Sequence, residues 1–235
     1  LLSGKAKGGL SAAPGKSPVS VAALESSPLY SEDLGIDLGA GDDRQYFLWW
    51  LASLLFGARI SETIARNTFR AFLRHGLRTP QRITDAGREF LVNPIMREGG
   101  YVRYDGRKSE QVLRDCRALI EDYDGLLSRL HRLARDARDL EARLLAFYGV
   151  GLVTVNIFLR ELRPHWTKAD PEPLPIVKHL ARRLGIDLGR YDRKSLRFCR
   201  LEAGLIRLRS RRWSRSRLSR ESQGSPQCGA VVGRG

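Results

Sequence analysis

Between residues 61 and 208 the apolar side chains recur at three- and four-residue intervals, and no stretch alternates apolar and polar as a half-buried strand does. That spacing constrains the chain more than any other feature, and it predicts an all-α fold. Val112, Leu113, Cys116, Leu119 and Ile120 step along one face of a helix expected to begin at Ser109. Ser61, Glu62 and Thr63 open another through His75, with Ile64, Thr68, Phe69 and Phe72 on one side and Gly76 as its stop. Thr79 followed by Pro80 is an N-cap with proline at the first helical position. Further helices are expected over 126–133, 139–147, 152–162, 176–184 and 195–208. The run 46–58 is uncharged but falls short of the ~18–20 residues a membrane span requires, so it is expected as a buried helix. Its Phe47, Trp49, Trp50 and Phe56 are expected in the core. No repeat of solenoid period is present.

The flanks read differently. Residues 1–43 are rich in Gly, Ala, Ser and Pro without an apolar period, and are expected to be largely disordered. Residues 207–235 carry eight arginines against one acid, Glu221, a net +7 of the whole chain's +15. Ser and Arg alternate around Trp213, which reads either as a non-specific phosphate clamp or as a solvated tail. Residues 44–206 are then the expected folded domain.

The 41 basic against 26 acidic residues favour a polyanionic partner (DNA, RNA or an anionic membrane surface) without choosing among them. Three cysteines, none in a CxxC pair, exclude a disulfide framework and a four-cysteine metal site within one chain. His75, His131, His165 and His179 lack ligand spacing, so no catalytic metal is expected. With no basic-then-apolar leader, the expected location is the cytoplasm. The sequence does not begin with Met, which leads us to expect a piece of a longer chain.

The segment 144–156 carries the most chemical information. A helix ends, the turn Tyr148-Gly149-Val150-Gly151 follows, and a second helix starts at once. Glycine permits the positive φ and close backbone approach of such a turn. The first amides of the second helix have no intrahelical acceptor and, with the helix dipole, can hold a phosphate. Read on its own, this turn is equally a structural connection between helices.

The segment resembles the hairpin of the helix-hairpin-helix DNA glycosylase superfamily, the endonuclease III-like group. The family's hairpin reads Leu-Pro-Gly-Val-Gly, two variable residues, then Thr-Ala. This chain has Phe147-Tyr148-Gly149-Val150-Gly151, Leu152-Val153, then Thr154-Val155. The family places an essential Asp about twenty residues past the first hairpin glycine, and Asp170 lies there. Gly99-Gly100-Tyr101 with Arg107-Lys108-Ser109 is similar to the family's Gly-aromatic and Lys-Ala pieces. The run 54–61 is similar to its Leu-Leu…Gln…Ser helix, and Thr79-Pro80 falls where the family has Thr-Pro. The resemblance spans about residues 45–205.

The resemblance implies two helical lobes flanking a DNA cleft. One would cover about 60–162 and end in the hairpin. The other would combine about 45–57 with 163–206. It implies excision of a damaged or mismatched base from double-stranded DNA by a monomer, without a membrane. Gly149, Val150, Gly151, Thr154 and Lys108 would contact the DNA. Bifunctional members carry a Schiff-base lysine where this chain has Val153, which lacks a nucleophilic atom, so lyase activity is not expected. Four cysteines for the family's iron–sulfur loop are missing, so no such cluster is expected. The implied ion is a monovalent cation on hairpin backbone oxygens.

Breaking a base–sugar bond builds positive charge on the sugar, which a carboxylate beside C1′ stabilises. Asp170 is the candidate, with Glu172 as runner-up. The sequence around it, Asp170-Pro171-Glu172-Pro173, departs from the family's Asp-Thr-His, and a turn aspartate before proline is the competing reading. Arg59 aligns with the residue that fills the gap left by a flipped base, or it is an ordinary surface arginine. Lys168 reads as a phosphate contact or a solvated lysine, and Trp166 as a pocket wall or a packing residue. The expected function is a monofunctional DNA glycosylase, with a DNA-binding relative that has lost catalysis as the alternative.

Overall fold

The computed structural model describes residues 20–221, with side chains through Arg209. The described residues are helical and contain no strand. The helices are α1 (Val21–Glu25), α2 (Tyr30–Asp33), α3 (Asp43–Phe56), α4 (Glu62–Arg74), α5 (Pro80–Phe90), α6 (Arg97–Gly99), α7 (Asp105–Tyr123), α8 (Leu127–Leu133), α9 (Ala137–Leu145), α10 (Leu152–Leu162), α11 (Pro175–Arg183) and α12 (Leu196–Glu221). A π-helical turn, Leu91–Met96, joins α5 to α6. No helix among the described residues is long and apolar enough to cross a membrane.

Local chemistry sets many of these boundaries. Ser61 Oγ accepts the Ile64 amide and Thr79 Oγ1 accepts the Arg82 amide, capping α4 and α5, and Asp136 caps α9 in the same way. α10 occupies the span its apolar spacing predicts.

α3 is the centre of the larger core. Ten consecutive residues, from Tyr46 to Leu55, are buried, so the helix is enclosed on every side. Trp49 donates its indole N–H to the Phe158 carbonyl at 3.0 Å, and the Trp50 ring lies 5.1 Å from that of Phe158. α3 is thereby fastened to α10, and through Trp50 and Phe147 to the turn before it. A second, smaller core gathers Leu24, Val177, Leu180, Ile186, Phe198, Leu201 and Leu205 from α1, α11 and α12. The buried side chains of α3 share the larger core with α4–α10 and also with Trp166, Ala169, Cys199 and Ala203 from the chain after Arg163.

The expectation of disorder up to residue 43 is corrected over 20–43. Leu24, Leu29, Tyr30, Ile36 and Leu38 are all buried. The cause is a long-range polar anchor: Glu161, fully buried on α10, accepts the Tyr30 and Ser31 amides at 3.1 and 2.9 Å. The C-terminal boundary also moves. Arg207 donates to Asp33 at 2.7 Å and to the Pro28 carbonyl, and the α12 backbone continues to Glu221. Residues 1–19 and 222–235, and the side chains of the Ser/Arg run, lie outside what is described.

Candidate functional site

The turn between α9 and α10 projects outward. Gly149 and Gly151 are exposed, and Gly149 has φ 68°, a conformation that a side chain strains. Val150 tucks inward with its amide on the Phe147 carbonyl. Gly151 is the N-cap of α10 and supplies no side-chain acceptor, so the amides that begin α10 face solvent. Leu152 and Val153 stand exposed beside them. The position where a Schiff-base lysine would sit therefore points outward and holds a valine.

Beside this turn lies a groove of about 530 Å³. It brings together Arg59, Lys108, Gly149 and Thr154, four residues singled out from distant parts of the sequence. Arg107, Tyr101, Tyr104 and Tyr148 complete its wall, and no carboxylate lines it. Arg59 and Arg107 are exposed, and neither forms an ion pair with a described residue. Tyr104 holds a left-handed backbone (φ 64°) and the residue stays 64% exposed, so an aromatic ring stands at the rim with the Arg103 guanidinium 5.2 Å from its centre. The groove thus offers guanidinium groups and aromatic surface with no internal counter-charge.

Two of these residues do more than line it. Thr154 is buried, and its hydroxyl faces Gly57, where a Cβ would sit only 2.0 Å from Oγ1. Its first role is to bring the end of α3 against α10. Lys108 donates to the Leu54 carbonyl at 3.0 Å and to Gln111 Oε1 at 2.6 Å, and burial pulls its ammonium down to about 8.

Asp170 lies outside this groove, in the loop between α10 and α11. Its carboxylate is partly exposed and accepts Arg193 Nε at 2.8 Å, with Arg163 Nε at 3.6 Å. Arg193 also binds Glu172 at 2.6 Å and the Asp170 and Pro171 carbonyls. Lys178 and Arg193 hold the Glu172 carboxyl down at about 2. Arg163 is fully buried, paired with Glu202 and hydrogen-bonded to the Pro171 carbonyl. Asn156, one turn into α10, donates to the Glu172 carbonyl at 2.7 Å, which moors this loop about 6 Å along the axis from the start of that helix. Glu141 on α9 faces the same cluster: burial first, then the charges of Asp170 and Glu172, push its carboxyl up.

Lys168 is held at a helix end. Its ammonium donates to the His131 and Arg132 carbonyls at 2.8 and 3.1 Å, closing the C-terminus of α8, while the residue stays partly exposed. Trp166 is buried, stacked on His131 with ring centroids 4.6 Å apart, and serves packing. Lys194, like Arg193, clamps the Asp170 loop by donating to the Thr167 and Ala169 carbonyls. No local pattern in the sequence marks Arg163, Arg193, Lys194 or Glu141 for these roles. Of the backbone oxygens that the implied cation would use, those of Phe147 and Gly151 already accept the Val150 and Val155 amides. Comparison with known proteins adds nothing to the geometry: no family model, no curated protein and no solved structure matches the chain.

Proposed function

We propose that this protein grips double-stranded DNA at the α9–α10 turn and cleaves the N-glycosidic bond of a damaged or mismatched base, without lyase chemistry. The observation that carries the reading is the groove beside the turn. Two unpaired arginines and three tyrosines line it with no acid among them, and the unpartnered amides that begin α10 lie beside it, past Gly149. Phosphates suit the amides and guanidinium groups, and they position a duplex without reading its sequence. The exposed Tyr104 ring and the Arg59 guanidinium are suited to stack on unpaired bases. The lesion is then discriminated by the lower cost of extruding a base that is already poorly paired.

Asp170 supplies the chemistry in this reading. Its carboxyl group, held beside two guanidinium groups, is placed to stabilise an oxocarbenium-like sugar and to orient the attacking water. Its loop is moored to α10 through Asn156, which ties the acid to the helix whose first amides hold the phosphate. Val153 provides no amine, so the product is an abasic site and a free base.

One observation favours a second reading, a DNA-binding relative without catalysis. The Asp170 carboxylate is clasped by Arg193, and a carboxylate spent on an ion pair is a weaker partner for a cationic sugar. A screen for free base released from duplexes with oxidised, alkylated, deaminated and mismatched bases separates the two. Glycosylase function predicts release that Asp170→Asn abolishes while duplex binding persists. No release across the screen, with binding intact, leaves the binding module.

A further inference from the structure

Under the α9–α10 turn, α7 carries a buried polar stripe that the proposed function does not use. Lys108, Gln111 and Asp115 fall on one face at i, i+3 and i+7. The Gln111 carboxamide lies directly beneath Gly149, where a Cβ would meet its Cδ and Nε2 at 3.4 Å, and it accepts the Lys108 ammonium at 2.6 Å. Asp115 is 1% exposed, and neither of its carboxylate oxygens has a hydrogen bond of good geometry. The donors that act on it are the Tyr148 amide and the Gln111 carboxamide.

We propose that Asp115 is a positioning residue for the phosphate-gripping turn, that it supports Tyr148 and Gly149 as a neutral acid, and that DNA therefore binds together with a proton. This rests on the DNA-binding reading above. An ionised carboxylate buried without firm partners is costly to hold, so the acid keeps its proton. An anion there, acting on the Tyr148 amide at the start of the same turn, would also oppose a phosphate seated on it. DNA binding and ionisation of Asp115 oppose each other, and each phosphate seated on the turn raises the acid's affinity for its proton.

The surroundings agree. Burial pushes the Asp115 carboxyl up to about 8, offset in part by Lys108, the Tyr148 amide and Gln111. Lys108 is the charged group acting on it, and α5 and α8, which pack on α7, direct none at it. The neighbouring Cys116 thiol is buried, and burial pushes it up. Arg114 turns outward over the Tyr148 ring at 4.4 Å. Because Lys108 titrates in the same range, the two are separated by replacing the lysine first.

The experiment measures affinity for one undamaged duplex from pH 6.5 to 9.5 at fixed salt, with Lys108→Met and with Lys108→Met/Asp115→Asn. In Lys108→Met, affinity falls with rising pH by up to about tenfold per unit, and the fall begins at a higher pH than in the unaltered protein because the lysine's charge is gone. The double variant, whose amide imitates the neutral acid, loses that fall. A double variant that keeps it overturns the proposal. Infrared spectra at pH 7 give a readout independent of DNA: a protonated-carboxyl band that Asp115→Asn removes. Absence of that band overturns the neutral acid directly. Failure of the unaltered protein to bind duplex at any pH, with the band present, overturns the binding reading and the proton linkage but leaves the neutral acid standing.

Discussion

Arg163→Met should be among the most damaging single substitutions in this protein, and the structure says by how much. The Arg163 side chain is wholly buried against the ring of Phe198, 5.1 Å away, with one nitrogen on Glu202 and another on the Pro171 carbonyl. Glu202 is itself 1% exposed. Removing the cation strands a buried carboxylate, and breaking a buried pair in this way costs about 3–5 kcal/mol. Loss of the bond to Pro171 adds about 1 kcal/mol. Against a typical total stability of about 5–15 kcal/mol, that is a large fraction. Urea denaturation followed by circular dichroism reads it as a shifted midpoint. The control is Arg163→Met/Glu202→Leu, which removes both charges. A buried pair exchanged for apolar groups of similar volume is often neutral, so the double variant should recover most of the loss. If the single variant costs under about 1 kcal/mol, or the double variant is as unstable as the single, the buried pair is not what holds the Asp170 loop.

Three further expectations follow from the same contacts. Gly57→Ala places a Cβ 2.0 Å from Thr154 Oγ1 and should destabilise by about 1–3 kcal/mol, with partial recovery when Thr154→Ala is added, both read by thermal unfolding. The Asp115 carboxyl is raised from 3.8 to about 8, so its contribution to stability is full below about pH 4 and declines as pH rises to about 8. Asp115→Asn should therefore gain on the unaltered protein by up to about 1.4 kcal/mol per pH unit across that window, and a constant difference from pH 4 to 8 would contradict the buried acid. Under the proposed function, borohydride should not trap the protein on abasic DNA, because the exposed Val153 beside the turn offers no amine and Lys168 is bound to the end of α8, whereas efficient trapping would identify another reactive amine.

Helices were legible in this sequence wherever local chemistry decides them. Ser61, Thr79-Pro80 and the apolar spacing of 152–162 each announce a boundary that the structure places within a residue or two. The all-apolar run of α3 announced burial for the same reason. Elements that depend on distant partners were not legible. Tyr30 and Ser31 are ordered by Glu161, some 130 residues away, and nothing in a stretch rich in Gly, Ser and Pro signals that anchor. The extension of α12 past Leu208 was hidden because alternating Ser and Arg have no apolar face to reveal a helix.

At the site the division is similar. The turn itself was legible, since two glycines before a helix start have a local meaning. Arg59, Lys108, Gly149 and Thr154 come together in one groove although Arg59 and Lys108 lie far from the other two in the sequence. The clasp on Asp170 was not legible, because Arg193 lies 23 residues further along the chain and its pairing follows from how the following loop returns. The bonds of Lys168 to the end of α8 are not legible either, because their acceptors lie 37 and 36 residues back along the chain.

Duplex binding by Gly151→Asp tests the central claim most directly. The residue is exposed, has the extended backbone of an N-cap (φ −118°, ψ 170°), and a Cβ there meets nothing within 4 Å. Aspartate is also a favoured N-cap and should hold or raise stability by a few tenths of a kcal/mol, so folding is preserved. Its carboxylate would occupy the amides proposed to receive a phosphate. The account predicts weaker binding to every duplex sequence by a similar factor and a shallower dependence on salt. Unchanged affinity and salt slope in a folded Gly151→Asp protein would show that the α9–α10 turn does not hold DNA.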